Sequence, residues 1–337
     1  METNRGLLSS VASLLREKRI YKALGILLAI ELIGAMIIPN LWILRIFMVA
    51  NIFCLFAISW DLQWAFTAQP NFGHALFFGG AAYISGLLNL HLGVPIAFSM
   101  LGGIAAALLL SLAVGYALLR VRGVYFAIFT MFLPVALTGI LYMFPVVLGG
   151  ETGLGGVDTF AGSWPRVQFV IVTIAMALGT CALLLIGQSD LGLLMKSMKE
   201  NEFGAASAGV NITKYKIIGF VLSAGFAALA GVVYVHTLGC VGPVLLSVNM
   251  SFMPMVMTYI GGVGTLVGAL IGAYVVTFLN EYLLVAPTLR ILIYAIVLVV
   301  ILRFFPSGIM GAVNLLRAKR QSRLKREGSN GTAARTA

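Results

Sequence analysis

Polar interruptions divide the chain into long apolar runs, in which hydrophobic residues follow one another without the alternation of a half-buried strand. A helix that crosses a bilayer needs about 20 mainly apolar residues, whereas the strands of a membrane barrel alternate apolar and polar positions. The pattern therefore predicts an all-α fold, a polytopic membrane helical bundle of about ten spans. The eighth span is too short to cross unaided, so we expect a broken or tilted helix there. The predicted spans are residues 22–39, 43–65, 74–92, 95–118, 124–148, 167–187, 215–236, 251–262, 265–285 and 288–304.

Small residues recur every four positions within several predicted spans. Such stripes let helix backbones approach closely in lipid, where dispersion forces have to hold the helices together. We therefore expect a tightly packed bundle. The stripes are Gly103, Ala107, Ser111 and Gly115; Gly219, Ser223, Ala227 and Gly231; and Gly264, Gly268 and Gly272.

The composition supports the membrane assignment. Hydrophobic residues make up 61% of the 337 positions and charged residues 10%, whereas soluble domains carry about 25% charged residues. The loops between the predicted spans are too short to hold a soluble domain. The net charge of +11 would suit nucleic acid, but the basic residues flank the apolar spans. We therefore expect this charge to face membrane lipids, with no nucleic acid as a partner.

The basic residues also predict the orientation of the bundle. Cytoplasmic loops of membrane proteins carry an excess of lysine and arginine. With a cytoplasmic N-terminus, 19 of the 22 basic residues lie inside, and Arg45, Arg166 and Arg290 lie outside. The basic stretch RAKRQSRLKRE (317–327) falls inside only when the number of spans is even. We therefore expect both termini to be cytoplasmic.

The pattern divides the chain into three parts. Residues 1–21 place leucines on one helical face ahead of a basic cluster, which predicts a cytoplasmic amphipathic helix on the membrane surface rather than a cleavable signal. Residues 22–304 form the transmembrane domain, with a cytoplasmic loop at 188–214. Residues 305–337 form a basic cytoplasmic tail, whose end we expect to be disordered.

Catalytic and metal-binding patterns are missing from the sequence. It has no phosphate-binding loop of the G-x-x-x-x-G-K-[ST] type and no Gly-Lys pair at all. The three histidines and the three cysteines stand apart from one another, without the spacing of metal ligands. We therefore predict a transporter rather than an enzyme, with no metal site and no cofactor on this chain.

Three acidic residues lie within predicted spans, where charges commonly mark ion-coupled transport. Glu31 and Glu281 are each followed, across a short turn, by an arginine (Arg45 and Arg290), so we expect structural ion pairs. Asp61 lies near the cytoplasmic end of its span, where an interfacial position accounts for it. A proton or sodium relay through these residues stays open as an alternative.

Residues 69–83, QPNFGHALFFGGAAY, contain helix breakers at membrane depth. Irregular backbone is tolerated there only where protein covers it or where it lines an aqueous path. Asn71 is placed to cap the following helix, and His74 then lies in its first turn. The segment is either a simple turn between two spans or an edge of a translocation path.

The cytoplasmic loop SDLGLLMKSMKENEFGAASAGVNITKYK (189–216) predicts a short amphipathic helix followed by a glycine turn. Leu193, Leu194, Ser197 and Met198 form its apolar face, opposite lysines and glutamates. An exposed helix of this kind is suited to dock into a groove on another protein. The alternative is an ordinary solvated loop.

Six blocks in the same order carry a family resemblance: QPNFGHALFFGGAAY at 69, RVRGVYFAIFTMF at 120, GGETGLGGV at 149, ENEFGAASAGVNITKYKIIGFVLSAGFAALAGVVY at 200, GGVGTLVGALIGA at 261 and FPSGIMG at 305. The chain resembles permease subunits of branched-chain amino acid ABC importers, and within them the longer of the two permeases. The resemblance covers about residues 45–311. It implies a type II ABC-importer-like fold in the inner membrane of a prokaryote.

The resemblance also implies partners. They are a second permease subunit, two ATPase subunits that carry ATP and magnesium, and a periplasmic or surface substrate-binding protein. The cargo would be branched-chain or other hydrophobic amino acids, which suits the apolar and aromatic candidate path.

Three groups of residues carry function under this assignment. The ATPase-coupling residues are Leu194, Met198, Glu200, Asn201, Glu202, Ala205, Ala206 and Gly209. The candidate translocation path consists of Asn71, Phe72, Gly73, His74, Phe78, Tyr83, Tyr125 and Phe126. Glu151 and Asp158 in the outer loop are candidate contacts for the binding protein, unless that loop is a flexible connector.

The chain departs from the family pattern at two positions. Leu193 follows Gly192 where the family often has a basic residue, and Ala269 follows Gly268 where it often has proline. The alternatives to amino acid import are an ABC permease for urea or short amides, a stand-alone ion-coupled amino acid transporter, and a structural subunit that scaffolds a partner permease.

Overall fold

A computed structural model of the protein describes residues 25–35, 37–118, 121, 123–162, 164–283, 292, 293, 296, 303 and 308–311. The amphipathic segment predicted for residues 1–21 and the tail beyond residue 311 lie outside the described residues. The tenth predicted span and Arg290 fall almost entirely outside them as well.

The described residues form α-helices joined by short connections. The helices are α1 (Gly25–Ala35), α2 (Leu41–Thr67), α3 (Ala75–Leu92), α4 (Ile96–Leu118), α5 (Val124–Met143), α6 (Pro145–Leu148), α7 (Pro165–Gln188), α8 (Asp190–Glu200), α9 (Glu202–Ser207), α10 (Ile212–Leu238), α11 (Val248–Gly261) and α12 (Leu266–Tyr282). A 3-10 helix spans Pro243–Leu246, and the two-residue strands β1 (Leu154–Gly155) and β2 (Cys240–Val241) pair antiparallel.

Six of these helices, α2, α3, α4, α5, α7 and α10, are long and apolar enough to cross a membrane. Helices α1 and α12 are shorter apolar helices. The predicted fold class, a bundle of apolar helices suited to a membrane, is therefore confirmed.

Helix α2 is the centre of the bundle, because most of its side chains are buried and α7, α8, α10, α11 and α12 all pack against it. Helices α4 and α5 lie at the periphery, where large apolar side chains such as Tyr116 (76% exposed) and Phe132 (59%) point outward. In a bilayer such surfaces are covered by lipid or by another subunit.

Two glycines of the predicted stripes, Gly231 and Gly272, lie where helix backbones touch. A Cβ atom on Gly231 of α10 would lie 2.0 Å from the carbonyl oxygen of Phe78 on α3. One on Gly272 of α12 would lie 1.8 Å from the carbonyl oxygen of Met257 on α11. Only glycine permits these approaches, so the expected tight packing is present.

The eighth predicted span, residues 251–262, corresponds to the short helix α11, and a 3-10 helix precedes it. Strand β2 lies at the end of the bundle that also holds β1, and the chain then passes through the 3-10 helix before α11 begins. Ser247 caps α11 by accepting a hydrogen bond from the backbone N–H of Met250 (3.2 Å). At the opposite end of the bundle, the turn after α11 is held by Asp61, whose Oδ1 accepts from the N–H of Gly264 (2.7 Å). Asp61 is thus buried and bonded to a turn, rather than simply interfacial.

Candidate functional site

The break between α2 and α3 contains a turn built by Asn71. Its Oδ1 accepts a hydrogen bond from the N–H of Gly73 (2.9 Å), and its backbone carbonyl accepts from Nε1 of Trp60 (2.8 Å). Asn71 does not cap α3 as predicted, because it precedes the helix by four residues and closes the turn instead. The first helical N–H, that of Ala75, donates to Oγ of Ser251 on α11 (3.3 Å).

His74 lies directly before α3 and is fully buried in a network of neutral groups. Because Oδ1 of Asn71 faces Gly73, the amide Nδ2 faces Nδ1 of His74 (3.3 Å) and Oε1 of Gln63 (3.2 Å). Nδ1 therefore accepts, and Nε2 carries the proton that it donates to Oγ of Ser59 (2.8 Å). His74 is a neutral structural imidazole.

The network joins three helices. Ser223 of α10 donates from Oγ to the carbonyl oxygen of Ser59 on α2 (2.7 Å), and His74 closes the arrangement from α3. Nε2 of Gln63 is buried and has no hydrogen-bond partner among the described residues. The network contains no charged pair and, within the described part of the chain, no group of side chains that could hold a metal ion. It can hold the helix break rigid, but it offers no chemistry for catalysis.

The candidate path residues do not form one continuous lining. Six of them are buried within this chain, namely Asn71, Gly73, His74, Phe78, Tyr83 and Phe126. Tyr125 is 77% exposed and points away from the bundle on α5. Phe78 and Tyr83 are core residues of α3.

Phe72 and Gly73 lie where α3, α5 and α11 meet. The N–H of Phe72 donates to Oγ1 of Thr130 on α5 (3.1 Å), and its ring lies 5.0 Å from that of Phe252 on α11. A Cβ atom on Gly73 would lie 1.9 Å from the carbonyl oxygen of Thr130. Sequence reasoning missed Thr130, Ser251 and Phe252, which lie in apolar runs that mark no site.

Spacing predicted that Glu31 and Glu281 would each pair with the next arginine along the chain, and the structure tests the first of these two pairs. Glu31 of α1 bonds to Asn51 and Tyr274, and Arg45, its predicted partner, is exposed. The predicted Glu31–Arg45 pair is therefore wrong, because neutral groups of α2 and α12 reach the carboxyl instead. The predicted pairing of Glu281 with Arg290 lies outside the described residues.

Helix α8 packs against the end of α2. Its buried side is formed by Gly192, Met195 and Met198. Lys196 lies over the ring of Phe66 (5.0 Å to the ring centre). Met198 therefore packs α8 against the helical bundle. Leu193 is 58% exposed and Leu194 is half-buried.

Helix α9 projects from the bundle as a short exposed element. Asn201 caps it by accepting from the N–H of Gly204 (2.8 Å), and Gly209 ends the segment with a φ of 84°. Phe203 is 87% exposed, and Ala205, which is half-buried, is the least exposed residue of the helix. The six coupling residues from Glu200 to Gly209 are thus brought together on one protruding segment.

The base of this segment is held by a salt bridge. Nζ of Lys216, at the start of α10, lies 2.9 Å from Oε1 of Glu202. Phe203 was not among the predicted site residues, although an aromatic residue in a charged loop was a signal that could have identified it.

The two candidate outer-loop contacts differ in their surroundings. Glu151 is exposed on a glycine turn. Asp158 accepts from Nδ2 of Asn89 (2.9 Å), while its carbonyl oxygen accepts from Nδ1 of His236 (2.8 Å). Asp158 therefore attaches the loop to α3 and α10, and Glu151 is left as the freely presented acid.

These features define a multi-pass helical membrane protein with a buried turn between α2 and α3 and an exposed helical segment between α7 and α10. The family model described as the permease component of branched-chain amino acid transport systems matches residues 42–302. The chain belongs to this family.

Individual relatives agree with that membership. The chain is similar to the high-affinity branched-chain amino acid transport system permease protein LivM of Salmonella typhimurium, at 24% identity over 269 residues, covering 71% of this chain and 63% of the relative. It is similar to LivM of Escherichia coli at 25% over 273 residues, with the same coverage. The permease protein LivH of Escherichia coli is 25% identical over 174 residues, covering 50% of this chain and 54% of the relative. The chain thus spans about 63% of the length of the LivM proteins. No solved structure matches it.

Proposed function

We propose that this protein is the transmembrane permease subunit of an ATP-driven ABC importer for branched-chain or other hydrophobic amino acids. One observation carries the proposal: the family match over residues 42–302 includes both the membrane helices and the exposed α8–α9 segment.

The α8–α9 segment is the proposed contact with the ATPase subunits, which would carry the ATP and magnesium. A contact can drive transport only if it differs between the inward-open and outward-open states. Here α9 would receive the movement of the ATPases, and α8 would pass it to α2 through Met195 and Met198, which are buried against the bundle. Helix α2 would then transmit it to the whole bundle.

The proposed topology has ten spans and both termini in the cytoplasm. Support comes from the distribution of basic residues over the two ends of the bundle. Lys196, Lys199, Lys214 and Lys216 lie on or beside the α8–α9 segment, whereas Arg45 lies near the start of α2, at the opposite end. The protein would lie in the inner membrane of a prokaryote with α8 and α9 inside.

The proposed cargo path lies at the junction of α3, α5 and α11, and a second permease subunit would form its other half. Support comes from the outward-facing apolar surfaces of α4 and α5, which another subunit could cover. A lining of Phe72, Phe252 and neutral hydroxyl groups suits a zwitterionic cargo with an apolar side chain. The binding protein would set most of the specificity and approach the face that carries Glu151.

Affinity purification from native membranes tests this proposal. The tagged chain should recover a second permease and two ATPases, and the assembly should hydrolyse ATP faster when the loaded binding protein is added. Recovery of the chain alone, together with proton-driven amino acid uptake by liposomes that contain only this chain, would favour the stand-alone transporter. Stimulation by urea or a short amide in place of an amino acid would change the cargo but not the class.

A further inference from the structure

Helix α1 is attached to the bundle by one face. Ile26, Ile30 and Ile33 are 60%, 62% and 58% exposed on the other side of the helix. Glu31 points inward and is 6% exposed. A carboxyl group in such surroundings is costly unless it is neutral or fully bonded.

The carboxyl group of Glu31 closes a three-membered ring of contacts. Nδ2 of Asn51 lies 2.8 Å from Oε2 of Glu31, the hydroxyl of Tyr274 contacts Oε1 of Glu31, and the same hydroxyl contacts Oδ1 of Asn51. Nδ2 of Asn51 also lies 3.1 Å from Oγ1 of Thr173. The ring therefore joins α1 to α2 and α12, and Asn51 extends it to α7.

The number of hydrogen atoms in this ring indicates the protonation state of the Glu31 carboxyl group. If each of the three contacts is a separate hydrogen bond, the closed ring needs three hydrogen atoms between the heavy atoms. The amide group of Asn51 supplies one hydrogen atom to the ring, and the hydroxyl of Tyr274 supplies its only hydrogen atom. The third has to be carried by Glu31.

The count does not depend on how the amide of Asn51 is oriented. With Nδ2 toward Glu31, the hydroxyl of Tyr274 donates to Asn51 and the carboxyl donates to the hydroxyl oxygen. With the amide reversed, Asn51 donates to Tyr274, Tyr274 donates to Glu31, and the carboxyl donates to the amide oxygen. An ionised Glu31 leaves two oxygen lone pairs facing each other in either case.

We propose that Glu31 is a proton-binding site, a neutral carboxylic acid whose proton completes the ring and fastens α1 to the bundle. Of the titratable groups near it, Tyr274 of α12 contacts the carboxyl group, and the thiol of Cys54 on α2 donates to the carbonyl oxygen of Leu270 (3.6 Å). Its hydrogen-bond partners among the described residues are all uncharged. The site is independent of the identity of the cargo and of the ATPase contact.

Infrared spectroscopy of the protein in lipid nanodiscs tests the site. The difference spectrum between the wild type and E31Q should show the C=O stretch of a protonated carboxyl, which shifts in D2O. Y274F should move this band, since it removes the bonded hydroxyl oxygen, whereas E151Q, which changes an exposed acid, should leave it unchanged. A carboxylate band in place of the protonated band would overturn the proposal.

Thermal unfolding supplies a second test. Glutamine offers one N–H where the acid offers its O–H, so E31Q should unfold at the temperature of the wild type. E31L has no polar group for the ring and should unfold several degrees lower. A lower unfolding temperature for E31Q, equal to that of E31L, would show that the ring requires a charge and would overturn the proposal.

Discussion

Phe203 provides the sharpest test of the proposed ATPase contact. Its ring is 87% exposed on α9, so replacing it with alanine removes almost no packing within this chain. If the ring enters a pocket of the ATPase, its burial contributes about 1.5–3 kcal/mol to binding. F203A should therefore weaken the permease–ATPase complex about 10- to 150-fold, while the unfolding temperature of the permease stays unchanged.

The dissociation constant can be measured by interferometry with the permease in nanodiscs and the purified ATPase in solution. V146A is the matched control, because Val146 is 93% exposed on α6, away from the α8–α9 segment, and should bind like the wild type. An affinity of F203A within about twofold of the wild type would refute the reasoning, since that difference corresponds to about 0.4 kcal/mol.

Three further changes test the packing and the orientation. G231A should lower the free energy of unfolding by about 1–3 kcal/mol, because the new methyl group meets a backbone carbonyl of α3 at 2.0 Å. G139A, at a helical glycine with open space around it, should not lower the free energy of unfolding in the same denaturation assay. D61A should cost about 1 kcal/mol by removing the hydrogen bond to Gly264, and D61N, which keeps an acceptor, should cost less. In a variant that keeps Cys240 as its single cysteine, a membrane-impermeant maleimide should label intact cells, since this exposed thiol lies at the end opposite α8; labelling only after permeabilisation would reverse the proposed orientation.

Long spans could be predicted because each needs a sustained apolar run. The predicted span 43–65 corresponds to Leu41–Thr67, and 215–236 corresponds to Ile212–Leu238. The short eighth span could be predicted only in outline. A short run indicates that a straight helix cannot cross, but the 3-10 helix and the start of α11 depend on contacts with α3 and α5.

The face of α8 shows a different limit. The sequence predicted an apolar face of Leu193, Leu194, Ser197 and Met198, whereas the buried side follows Gly192, Met195 and Met198. Because Leu193 and Leu194 are apolar, the predicted face was centred on them and was rotated away from the side that is buried. Which side is buried depends on α2, and the pattern of a short loop helix carries no information about its neighbour.

The polar ring of Glu31 could not be found from the sequence. Its members are separated by 20 and 243 residues, and Asn51 and Tyr274 resemble ordinary residues of apolar spans. The next arginine along the chain, Arg45, suggested an ion pair instead. Partners across such distances are set by helix packing, which neither periodicity nor charge pattern specifies.

Transport by the reconstituted assembly tests the central claim most directly. Liposomes that contain this chain, its co-purified permease and the two ATPases, supplied with the binding protein outside and ATP inside, should accumulate radiolabelled leucine. Uptake should stop when ATP is replaced by a non-hydrolysable analogue. Leucine uptake by this chain without ATPases, or uptake by the assembly that is unaffected by removing ATP, would contradict the account.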